Sequence, residues 1–135
     1  VNAEDIEPGT FLAYDQMILG APTWFDGELP NYWDEFVPAI EDMDLKGKKI
    51  AVYGLGDQKN YAENFQDAIG ILAEILEEQG ATIVGHTSTE GYEFERSRGV
   101  RDGKFLGLAI DYENQGSKNK SRISGWVKQL KEEFS

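Results

Sequence analysis

Two stretches of the chain carry residue types that could hold a flat ring with a polar edge. The first is Gly20-Ala21-Pro22-Thr23-Trp24-Phe25-Asp26-Gly27-Glu28, and the second is Gly54-Leu55-Gly56-Asp57-Gln58-Lys59-Asn60-Tyr61. Each contains small residues that let backbone come close to a ligand. Each also places one large aromatic, Trp24 or Tyr61, in a polar turn rather than in an apolar stripe. Such aromatics either cover the core or sandwich a planar group between them. Asp57 follows two glycines and suits two tasks: accepting a charge-assisted hydrogen bond from a ring N–H, or capping a turn. The backbone N–H groups of Gly56, Asp57 and Gln58 are placed to donate to ring carbonyls, and Thr23 adds a hydroxyl.

Other chemistry finds little support. Gly54-x-Gly56 lacks the third glycine of a dinucleotide fingerprint, because that position is Lys59. Asp111-Tyr112-Glu113-Asn114-Gln115-Gly116 resembles the start of a calcium loop, but no terminal Glu follows. His86 is the only histidine and has no neighbouring Ser or Cys nucleophile. With no cysteine, disulfides, thiolate catalysis and zinc-thiolate sites are excluded.

The two loops need strands to present them. Short apolar runs read as strands at residues 16–20, 49–54, 82–86 and 105–110. They alternate with amphipathic helices, the pattern of an α/β layer fold. The first run is apolar almost throughout, which predicts burial on both faces. Trp33, Phe36, Val37 and Ile40 share one helical face, with Pro38 expected to kink that helix. Phe65, Ala68, Ile69, Leu72, Ile75 and Leu76 form a second stripe, with Gly80 placed to end it. Ile123, Trp126, Val127, Leu130 and Phe134 form a third, and all three stripes read as core. Both candidate loops leave the C-terminal end of a strand, where open α/β sheets bind ligands. Residues 87–104 form a long polar excursion before the last strand, either a functional loop or a cover for a sheet edge.

The 135 residues suit a single domain, residues 1–135, and are 40% hydrophobic, enough for a core. No apolar stretch approaches the roughly 20 residues a bilayer requires, and residues 1–5 do not read as a signal peptide. A cytoplasmic location is the expectation. The formal net charge of −12 repels nucleic acid and anionic membranes. It either draws a basic protein partner or serves solubility.

At these loops the sequence resembles the flavodoxins, specifically the bacterial long-chain type. The matching stretches include Gly20 to Trp24 with Gly27-Glu28, and Gly54 to Gln58 with Tyr61-Ala62-Glu63-Asn64-Phe65-Gln66-Asp67-Ala68. Ser88-Thr89-Glu90-Gly91-Tyr92 and Gly103-Lys104-Phe105-Leu106-Gly107-Leu108-Ala109-Ile110-Asp111 continue the match in order. The resemblance implies a flavodoxin-like three-layer sandwich around a parallel sheet, non-covalently held FMN, and one-electron transfer at low potential rather than enzymatic turnover. It implies that Trp24 and Tyr61 flank the isoalloxazine and that Asp57 partners its pyrimidine N–H. Thr23 and the Gly56 backbone join the contact set, with Gln66 a further candidate. The turn Trp24-Phe25-Asp26-Gly27 corresponds to the peptide near flavin N5. The implied partners are a ferredoxin/flavodoxin–NADP reductase and low-potential acceptor proteins, met through the acidic surface. The excursion at 87–104 corresponds to the loop that splits the last strand in the long-chain group.

The chain departs from the family pattern at its start, where residues 1–13 supply no counterpart to the first strand, the phosphate-binding loop or the first helix. In the family's strand order 2-1-3-4-5 that strand is internal. Residues 17–19 are therefore expected to form an exposed apolar edge, the last helix to lose packing surface, and FMN to bind weakly. Two other functions are compatible with the residues: an NAD(P)H quinone or flavin reductase, and a non-redox scaffold that has lost FMN.

Overall fold

A computed structural model describes all of residues 1–135. The strands are β1 (Gln16–Pro22), β2 (Lys49–Leu55), β3 (Thr82–Val84), β4 (Thr87–Ser88), β5 (Val100–Arg101), β6 (Lys104–Phe105) and β7 (Leu108–Ile110). The helices are α1 (Pro8–Leu12), α2 (Asn31–Asp34), α3 (Val37–Glu41), α4 (Asp67–Glu78) and α5 (Tyr112–Glu133). β2 is the axis of the main sheet. It pairs in parallel with β1 along its whole length, from Gln16↔Lys49 to Pro22↔Leu55.

The opposite edge of β2 is shared. β3 pairs with its first half, Lys49↔Thr82 to Ala51↔Val84, and β7 with its second, Tyr53↔Leu108 to Leu55↔Ile110. β3 and β7 are thus two halves of one strand position, interrupted by residues 85–107. The long excursion splits the last strand, as the resemblance implied. The single strand expected at 105–110 is corrected, because Phe105 belongs to a separate antiparallel sheet, β4-β6-β5. Gly107 makes the transition, and a Cβ there would overlap the Val52 carbonyl.

Helices cover both faces of the sheet. On one face Ala68, Ile69, Leu72 and Leu76 of α4 pack with Leu19, Ile50, Val52 and Ile83, and with Trp33, Phe36 and Ile40. Burying a side chain such as Leu72 contributes about 2–3 kcal/mol. On the other face Trp126 and Leu130 of α5 pack against Ala51, Leu108 and Ile110. The Trp126 indole N–H donates to the Gly85 carbonyl at 2.8 Å, so this buried donor is satisfied. The result is a three-layer α/β sandwich.

Three expectations need correction. β1 is buried only at Leu19 and Ala21, and Ile18 is 49% exposed. Its outer edge has no strand neighbour, so Met17, Ile18 and Leu19 line an apolar groove with Ile6, Phe11 and Tyr14. The helix expected across Trp33–Ile40 does not kink but divides into α2 and α3. Pro38 falls in the first turn of α3, where its missing N–H would have had no helical partner. In α5, Trp126 and Leu130 are buried while Ile123 and Val127 are exposed, so only part of that stripe is core.

Candidate functional site

Thr23, Leu55, Gly56, Asp57, Tyr61, Tyr112 and Glu113 line one groove of about 320 Å³ beyond the C-terminal ends of β1 and β2. Thr23 follows β1 directly, and its N–H donates to the Leu55 carbonyl at 3.2 Å. Its hydroxyl oxygen accepts the Ala68 N–H at 3.1 Å, tying the loop to the start of α4 and leaving the hydroxyl hydrogen free. Tyr61 and Tyr112 are 55% and 64% exposed.

Asp57 organises its own turn. Its Oδ1 accepts the backbone N–H groups of Lys59 and Asn60 at 3.1 and 3.0 Å, and the Asn114 amide at 2.8 Å. Its Oδ2 accepts only the Asn60 amide, at 2.8 Å. The turn-cap role is therefore realised, and Oδ2 retains an unshared lone pair. Burial acts to raise the Asp57 pKa, but the Asn60 N–H, the Asn114 and Asn60 amides and the Lys59 N–H together hold it below the ordinary value. Of the three N–H groups at 56–58, Gly56 donates to the Ile110 carbonyl and Gln58 to Asp111. Only the Asp57 N–H stays available.

Asp111 sits behind this loop, fully buried, as the N-cap of α5. Its Oδ2 accepts the Gln58 N–H at 3.0 Å, the Gln58 amide at 2.8 Å and the Asn114 amide at 2.9 Å. Its Oδ1 accepts the Asn114 N–H at 3.0 Å. Gln58 Oε1 in turn accepts the Glu93 N–H at 2.7 Å, joining the long loop to the same centre. Burial raises the Asp111 pKa, yet these four donors outweigh it and keep the carboxyl below its ordinary value. Sequence reasoning gave Gln58 only a backbone role toward the ring and met Asp111 and Asn114 only as an incomplete calcium loop, so this network was missed. The available signal was an Asp at a strand-to-helix junction, a strong N-cap position.

The other expected residues lie around the groove rather than in it. The Trp24 and Glu28 backbones pair at 2.8 and 2.7 Å, closing a turn over Phe25, Asp26 and Gly27. Phe25 and Gly27 adopt left-handed φ values of 50° and 97°. The Trp24 ring packs edge-on to Phe25 and Tyr32, at 6.3 and 5.6 Å between centroids. It is not among the residues lining the groove. Asp26 opens instead onto a wider cavity of about 620 Å³ with Glu63, Asn64, Asp67 and Arg96 to Arg98. Gln66 is fully buried with φ 61°, and its amide donates to the Ile110 carbonyl at 3.2 Å. It packs beneath Gly54 and Gly56, and a Cβ at Gly54 would overlap its Oε1. Thr23, Gly56, Asp57 and Tyr61 thus share the groove. Trp24, Phe25, Asp26 and Gly27 form the neighbouring turn, and Gln66 supports the floor.

Comparison with known proteins places these features in a family. The flavodoxin family profile matches residues 1–126. Flavodoxin 1 of Escherichia coli K12 is 49% identical over 134 residues, covering 98% of this chain and 73% of that protein. The flavodoxin of Nostoc sp. PCC 7120 is 49% identical over 121 residues, covering 90% of this chain and 71% of that protein. Among solved structures, Fusobacterium nucleatum flavodoxin bound to flavin mononucleotide superposes with a TM-score of 0.90 at 35% identity. That match covers 94% of this chain and 76% of the other. With a profile match over most of its length and relatives about half identical to it, the chain belongs to the flavodoxin family.

Proposed function

We propose that the groove lined by Thr23, Gly56, Asp57 and Tyr61 receives the isoalloxazine ring of FMN, with the Trp24-Phe25-Asp26-Gly27 turn at its rim. As a flavodoxin the chain is an FMN-binding electron carrier, not an enzyme. The observation that carries the site assignment is the set of unengaged groups converging there. These are the Asp57 N–H, the Asp57 Oδ2 lone pair, the Thr23 hydroxyl hydrogen and the exposed face of Tyr61. A ring edge of alternating N–H and C=O groups needs such donors and acceptors, and a flat ring suits an unstacked aromatic. The residues present fit the ring.

Bound FMN would supply the electron-carrying chemistry. The residues around it bind, orient and bias. Asp57 would accept from the ring N–H through Oδ2 and donate to a ring carbonyl through its own N–H. Tyr61 would cover one face. Trp24, Phe25, Asp26 and Gly27 would border the ring from the adjoining turn, and Gln66 would hold Gly54 and Gly56 in place from below. Asp57 and Glu113 line the groove, so they set negative charge beside an added electron and favour a low potential. No side chain is asked to act as acid, base or nucleophile.

The acidic surface, at a net charge of −12, suits transient docking on basic faces of a ferredoxin/flavodoxin–NADP reductase and of low-potential acceptors. No helix is long and apolar enough to cross a membrane; a cytoplasmic location is part of the proposed reading. The test is a titration of FMN followed by flavin fluorescence, together with NADPH oxidation assayed with and without an added reductase. The reading expects quenching that is weakened in Tyr61→Ala, and NADPH oxidation only with the reductase. Quenching unchanged in Tyr61→Ala would refute the site, and NADPH oxidation by the isolated protein would refute the carrier role.

A further inference from the structure

Asp67 opens α4 beneath the Trp24-to-Gly27 turn and is only 7% exposed. Its Oδ1 accepts the Arg98 N–H of the long loop at 2.7 Å, a short charge-assisted bond. Its Oδ2 accepts no hydrogen bond and lies 2.5 Å from where a Cβ on Gly27 would stand. Gly27 is thus needed twice, for its φ of 97° and for the room the carboxyl occupies. The turn above is already strained, because Phe25 holds a left-handed φ of 50° without being glycine.

We propose that Asp67 is a positioning residue: its carboxyl seats Gly27, joins the Trp24-to-Gly27 turn to Arg98, and lets the turn's geometry follow its own charge. The proposal rests on the site assignment above, in which that turn borders the ring. The physical basis is the change in what Oδ2 offers. An ionised carboxylate can only accept, whereas the protonated acid also donates. Oδ2 lies beside Gly27 on the wall of the cavity with no partner of its own, so a change from acceptor to donor there acts on the turn directly. Burial pushes the Asp67 carboxyl above the ordinary carboxylate value, opposed by the Arg98 N–H and by the charges of Arg98 and Arg96. The other charged groups facing this cavity are Asp26 in the turn and Glu63 before α4.

The test is an NMR pH titration of the FMN-free protein. It follows the Asp67 carboxyl carbon and the amides of Trp24 and Gly27, in the wild type and in Asp67→Asn, Asp26→Asn and Glu63→Gln. The expected result is that both amides shift with the Asp67 midpoint and that Asp67→Asn abolishes this dependence. Asp26→Asn and Glu63→Gln should retain it. Amides that stay flat as Asp67 titrates in the wild type overturn the proposal, even if Asp67→Asn fails to fold. So do amides that follow Asp26 or Glu63. Adding FMN separates the two claims. If the coupling is present but FMN leaves the Gly27 and Trp24 amides unmoved, the proposal holds for the turn and the site assignment fails.

Discussion

Replacing Asp111 by Asn tests whether one buried carboxylate holds the candidate site together. The substitution keeps the shape of the side chain and removes its charge. In the better of its two orientations the amide oxygen still meets Gln58 and the Asn114 amide, but the amide nitrogen then faces the Asn114 N–H. The helix cap, worth about 1 kcal/mol, is lost. The three remaining bonds lose their charge assistance, at roughly 0.5–1 kcal/mol each. The expected destabilisation is about 3 kcal/mol, a large share of the roughly 5–15 kcal/mol that holds a domain folded. With a urea dependence of about 2 kcal/mol/M, the unfolding midpoint followed by circular dichroism falls by about 1.5 M.

The pH dependence adds a second check. The folded Asp111 carboxyl lies below its unfolded value of about 3.9. Its contribution is therefore complete above that value and is lost as pH falls through the folded value. The gap between wild type and Asp111→Asn should stay constant from neutral pH to about pH 5 and close in the acid limb. A gap below about 0.5 kcal/mol at neutral pH, the range of ordinary surface substitutions, would refute the anchoring role. So would a gap that persists unchanged in strong acid.

Three further outcomes follow from single contacts. Gly70→Ala would normally stabilise a helix interior by up to about 1 kcal/mol. Here the new Cβ overlaps the Arg98 carbonyl, and crowding of that kind costs about 1–3 kcal/mol, so thermal denaturation should show a lower Tm. Tyr92→Phe removes a hydroxyl that donates to the Ala109 carbonyl at 2.6 Å, and chemical denaturation should register a loss of about 1 kcal/mol. Tyr61→Ala, at an exposed position, should leave stability within about 0.5 kcal/mol. It should weaken FMN binding roughly fivefold, about 1 kcal/mol of lost ring contact, in a fluorescence titration.

Much of the architecture is legible in local sequence because local forces set it. The run Lys49-Ile50-Ala51-Val52-Tyr53-Gly54 reads as a strand and is the axis of the main sheet. Leu72 and Leu76 fall at helical spacing and are fully buried. Thr23, Gly56, Asp57 and Tyr61 stand out as unusual residues in polar turns, and they line one groove. The misreadings have a common cause in long-range partners. Ile18 looks like core by composition, but a strand is buried only where neighbours cover it. Phe105 to Ile110 reads as one run, yet Gly107, close against Val52, passes it from one sheet to another.

The sequence by itself determined the α/β class, the family, and the two loops whose aromatics and carboxylate suit a flat ring. These depend on residue type and short spacing, which a linear reading can register. The tertiary structure alone decided how those loops are held. Asp111 bonds to Gln58, 53 residues earlier, and Asp67 to Arg98, 31 residues later. Gln66 supports two glycines from the buried side. Partners that far apart leave no periodic trace, because a buried carboxylate takes its role from whichever donors the fold brings to it.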